Sequence, residues 1–143
     1  MHPFNNQDEL FEQVCFQILS QGNSRCRRPT LYKNRQTTPG VPHMHGLNGE
    51  RSPVGMFIPD HLYQYEMELK FFSLDFFDQY PELIYLKKYY SLLYKLECDW
   101  YNICQHTPDE NKITLQHFSS LKENAKEFGL KLPVTLQNFD LLK

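Results

Sequence analysis

Apolar residues at Leu10, Phe11, Val14, Cys15, Ile18 and Leu19 recur at the spacing of one helical face and predict an amphipathic helix over Gln7–Ser20. Asn6 is placed to cap its first amides, with Glu9 three residues on, and Gly22 supplies a left-handed stop. The helical period then disappears from Asn23 to Gly49, a stretch broken by Pro29, Pro39 and Pro42 and by Gly40, Gly46 and Gly49. Two short strands are expected at Thr30–Lys33 and Pro53–Ile58, paired with each other as an antiparallel hairpin because neither can satisfy its backbone alone. The loop joining them is long, and long loops are often functional or mobile.

Pro59 ends the second strand, for want of a ladder donor, and opens a short helical turn at Asp60–Tyr65. Phe71, Phe72, Leu74, Phe76 and Phe77 make Leu69–Gln79 a buried segment, read as helix. Pro81 starts the longest element, Glu82–Gln105, with Leu86, Tyr89, Tyr90, Leu93, Leu96, Trp100 and Ile103 on its apolar face. A last helix begins at Thr114, carries Leu115, Phe118, Leu121, Ala125 and Phe128, and is stopped by Gly129 with Leu130 folding back. Pro133 forbids its continuation, and the tail Val134–Lys143 is apolar enough to dock. The expected fold class is mainly α with a small two-stranded antiparallel β-hairpin (α+β), made by the Leu31 and Val54 segments. No repeat or composition shift divides the chain, so a single domain over residues 1–143 is expected.

At 143 residues and 41% hydrophobic the chain can bury a core without staples. No apolar run reaches the length of a bilayer span, and Met1–Asn6 has neither a basic flank nor a signal core, so a cytoplasmic protein with no membrane partner is expected. Cys15, Cys26, Cys98 and Cys104 lack paired zinc spacing and a Cys-x-x-Cys, which predicts reduced thiols and no cofactor.

Charge is unevenly distributed. Between Gly22 and Arg51 six bases face the single acid Glu50, whereas between Ser52 and Leu86 six acids face only Lys70. The basic cluster Arg25, Arg27, Arg28, Lys33 and Arg35, with Tyr32 interleaved, has the forks and the ring to hold phosphates or stack on a base; its bland reading is a solvated hairpin edge. His43 and His45 could join Cys26 or His61 around a metal, although one His-x-His without a partner pair is a weak zinc signature. Cys26, His61 and Asp60 are the residue types of a nucleophile, base and orienting acid, against which Asp60 reads as a cap of the turn after Pro59. Cys98 and Asp99 read as packing and surface positions of the long helix.

The span Phe57–Tyr101 holds 14 of the 21 aromatic residues, more than one helix face needs. Surplus rings beside Asp75, Asp78 and Glu82 suit a protein interface.

Val54-Gly55, Ile58-Pro59-Asp60, Tyr63 and Tyr65 and Met67-Glu68, with Gln21-Gly22, Cys26, Leu31-Tyr32-Lys33, Ala125–Leu130 and Pro133 in order, resemble a family of small phage and bacterial proteins of unknown function. Ser52 and Met56 stand where that family carries cysteine. The resemblance implies a gene of phage or mobile-element origin and no known activity. The first functional expectation is therefore a non-catalytic interaction protein with a protein partner, in its finer form a phage-type antagonist of a host defence complex. The alternative is a phosphate, nucleotide or nucleic-acid binding module using Arg25–Arg35. A third is a small hydrolase or metal-dependent enzyme, which requires Cys26, His43, His45 or His61 to converge.

Overall fold

The computed structural model describes residues 4–32, 35–68, 70–73 and 75–137, and of 28–41 and 72 the backbone alone. Helix α1 runs Gln7–Ser20, with the Glu9 amide donating to Asn6 Oδ1 at 2.9 Å and Gly22 at φ 63° just past its end. It buries Leu10, Phe11, Val14, Cys15 and Ile18.

Strand β1 (Arg27–Tyr32) pairs antiparallel with β2 (Arg35–Pro42), Arg27 opposite Pro42 and Tyr32 opposite Arg35. The register slips between Arg28 and Thr30, at Pro29, which has no amide to donate. The expected α+β arrangement, with the Leu31 segment paired to the Val54 segment, does not form. Its second strand is absent because the donors of residues 52–58 are satisfied another way. Gly55 N donates to Ser52 Oγ at 2.8 Å, Phe57 N to Val54 O and Ile58 N to Gly55 O, closing a 3-10 turn over Gly55–Phe57. Val54 N goes to the Glu97 side chain at 2.9 Å. Gly55 is required there: a Cβ would lie 2.1 Å from the Met44 carbonyl oxygen.

The expected continuous helix Glu82–Gln105 is two elements, a 3-10 helix over Pro81–Tyr89 and α3 over Tyr90–His106. The change of period is visible in the buried side chains. Leu83, Leu86 and Tyr89 are three apart, in line on a helix of three residues per turn, whereas Leu92, Leu93, Leu96, Trp100 and Cys104 follow the α spacing. The segment read as helix over Leu69–Gln79 is a 3-10 turn at Lys70–Phe72 followed by the one-turn α2, Phe76–Gln79; residues 69 and 74 lie outside the described set. Its rings pack edge to face, Phe76 on Phe71 and on Phe77, both at 5.3 Å between centroids.

Helix α4 (Ile113–Glu127) ends where Gly129 takes φ 64° and Leu130 N reaches back to Ala125 O at 2.8 Å. Pro133 then leads into the short α5, Val134–Gln137. Of the expected docking tail, Asn138–Lys143 lie outside the described residues. Helices α1, α3, α4 and α5 pack around one contiguous buried cluster that draws on residues from Phe4 to Leu136, and β2 lies against α3. Phe4 is wedged edge-on between Phe57 and Tyr89.

Candidate functional site

The basic cluster divides. Arg25 is inward: its Nη1 donates to Cys104 O at 2.9 Å and Nη2 to Thr107 O at 2.7 Å, while Nε lies 3.6 Å from Glu110. Those carbonyls belong to the last turn of α3 and to its C-cap residue, so the guanidinium caps a helix C-terminus, where the backbone dipole favours a cation. Arg27 is half-buried, and its Nε is enclosed without a hydrogen-bond partner. The side chains of Arg28, Tyr32 and Arg35, and all of Lys33, lie outside the described residues.

Cys26, His43, His45 and His61 do not form one centre. The Cys26 thiol donates to the backbone carbonyl of His43 at 3.1 Å rather than to an imidazole. His45 stacks on Tyr63 at 4.1 Å, donates from Nε2 to Gly55 O at 2.9 Å, and has Nδ1 3.6 Å from Asp60, which is itself held by Arg51 at 2.6 Å. Burial, opposed by that carbonyl, lowers its pKa. Asp60 therefore serves an ion pair rather than a cap, and His61 is exposed. A buried thiol and imidazole do meet, Cys104 Sγ 3.7 Å from His117 Nε2. Desolvation keeps both neutral, pushing the thiol up to about 12 and the imidazole down to about 4. Burial likewise raises Cys15, Cys26 and Cys98, against the low thiol pKa that nucleophilic cysteines need. Among the described residues no group of three or more His, Cys, Asp or Glu is placed to hold a metal ion, and no helix is long and apolar enough to cross a membrane.

What the fold does bring together is a cleft of about 240 Å³ between the His43–Met44 segment, the Tyr65–Glu68 turn and the Glu97–Asn102 face of α3. Tyr65, Trp100 and Tyr101 contribute its rings, with Tyr65 55% exposed at the mouth. Glu68 and Glu97 supply its carboxyl groups and His43 an imidazole, and among the described residues no lysine or arginine lines it.

Glu68 accepts the Met44 amide at 3.0 Å on each oxygen and the Tyr63 hydroxyl on Oε2, which fastens the His43–His45 segment to the turn. Glu97 is 4% exposed. Burial, with a smaller contribution from the Glu68 charge, raises its pKa to about 8 against the hydrogen bonds from Val54 N and the Ser52 hydroxyl. At neutral pH Glu97 is thus mostly a neutral acid beside a second carboxyl group, and perturbed groups lining a cleft mark a candidate site.

Glu97, Glu68 and Trp100 were not singled out by sequence as a site. The available signal was a glutamate at position 97, in register with Leu93 and Trp100 on the apolar face of a helix, where a charge is costly. No family model, curated protein or solved structure matches this chain.

Proposed function

We propose that this chain is a non-catalytic binding protein whose cleft receives a cationic group, the guanidinium or ammonium end of a basic side chain on a protein partner. The observation that carries it is the composition of the cleft: two carboxyl groups among aromatic walls, with no lysine or arginine among its described lining residues. Aromatic faces attract a desolvated cation by roughly 0.5–2 kcal/mol. A cation beside Glu97 also favours its ionised form, so entry of the ligand expels a proton. In its finer form the partner belongs to a host defence complex, a role suited to the phage or mobile-element origin that the family resemblance implies.

Trp100 is the single tryptophan and lines the cleft, so its fluorescence reports on this site. Nα-acetyl-arginine amide is expected to shift it saturably, with the neutral citrulline analogue inert. Affinity should rise about tenfold from pH 6 to pH 8, as ionising Glu97 no longer costs free energy. An equal response to citrulline, or a flat pH profile, refutes the proposal. Pull-down of a host component by the unmodified chain and not by Glu68→Gln tests the finer form.

A further inference from the structure

Helix α1 contains no lysine or arginine, and its outer side carries Asp8, Glu9 and Glu12. Asp8 accepts the Lys131 amide and Glu9 the Asn5 amide, both neutral donors, and among the described residues no basic side chain pairs with any of the three. Phe16 lies off the buried stripe of the same helix and is 63% exposed, as Val134 of α5 is at 65%. Between α1 and α5 runs an open groove of about 600 Å³ lined by Glu9, Glu12, Phe16, Met56 and Thr135, with Gln13 and Gln17 beside them. The hydroxyl oxygen of Thr135 is buried without a hydrogen-bond partner, a costly state for a polar group.

We infer that this groove is a second docking surface, one that takes a partner segment presenting lysine or arginine around a single apolar side chain. Charge complementarity selects that occupant. An aromatic anchor rimmed by carboxylates that no described basic side chain neutralises favours an apolar residue flanked by bases and repels an acidic segment. None of the groove's lining residues belongs to the cleft at Tyr65 and Glu97, so the two surfaces stand or fall separately.

The test uses the full chain and a fluorescein-labelled amphipathic peptide of leucine and lysine, with a leucine–glutamate peptide as control, read by anisotropy. The lysine peptide is expected to bind and the glutamate peptide not. Phe16→Ala should weaken binding at least tenfold. Raising salt from 50 to 500 mM should weaken it about tenfold in the parent and much less in the Glu9→Gln/Glu12→Gln variant, as expected for exposed charges. These side chains are on the surface, so circular dichroism should show the variants folded. Trp100 fluorescence should stay constant throughout, which separates this surface from the cleft. No binding, equal binding by Phe16→Ala, or binding that moves Trp100 and is lost in Glu97→Gln would overturn the inference.

Discussion

Replacing Glu97 by Gln keeps an acceptor for the Val54 amide, 2.9 Å away, but removes a group that titrates. Burial raises this carboxyl from 4.5 to about 8. At about 1.4 kcal/mol for each tenfold change in proton affinity, that rise corresponds to about 5 kcal/mol between the protonated and ionised folded states. Between pH 4.5 and 8 the folded protein holds a proton that the unfolded chain has released, so this contribution is fully present below pH 4.5 and lost as pH rises through 8. Across pH 5 to 9 the parent should lose about 4 kcal/mol of stability relative to Glu97→Gln. Urea unfolding of both proteins at pH 5, 7 and 9 measures the difference directly, because the other titrating groups are common to the pair. Parallel stability curves would refute the buried, neutral acid and with it the proton release proposed for ligand entry.

Gly55→Ala should cost about 3 kcal/mol in a urea or thermal melt, since its Cβ would press on the Met44 carbonyl, backbone that cannot rotate away. Arg25→Met should cost about 2–3 kcal/mol, because two charge-assisted bonds to the end of α3 disappear; a change within 0.5 kcal/mol would show the cap to be inert. Under native conditions iodoacetamide followed by mass spectrometry should modify Cys98 first, the half-buried thiol, while Cys15, Cys26 and Cys104 are buried, and occupancy of the cleft should protect it. The His117 ring, held down at about 4 by burial, should stay neutral to near that pH in NMR titration. Its contribution to stability is present above the ordinary value of 6.5 and is lost as pH falls through 4, opposite in sign to that of Glu97.

Much of the fold was legible where a local rule suffices. The cap at Asn6, the left-handed Gly22 and Gly129, and the return of Leu130 onto α4 each involve residues within five positions of one another. The strand expected at Pro53–Ile58 was misread because a short apolar run bounded by prolines fits a buried turn as well as a strand. The choice was made by Glu97, 43 residues away, which takes the Val54 amide that a ladder would have used. The 3-10 helix at Pro81–Tyr89 was written in the three-residue spacing of Leu83, Leu86 and Tyr89 but hidden by the α-helical pattern that follows.

The candidate site was less legible than the fold. Runs of like charge drew attention to Arg25, yet the guanidinium reaches Cys104 and Thr107, 79 and 82 residues on, and caps a helix. Aromatic surplus pointed to an interface beside Asp75, Asp78 and Glu82, none of which lines the cleft; the rings that wall it are Tyr65, Trp100 and Tyr101. Phe16 lay outside that span; its exposure follows from being off the buried face of α1.

From residue order alone came the amphipathic helices and their stops, because caps, glycine conformations and apolar periods act over a turn or two of chain. Tertiary structure alone decided which amides found partners, which charges were buried, and that Glu68 and Glu97 share one aromatic cleft, because desolvation and hydrogen bonding between distant segments depend on packing.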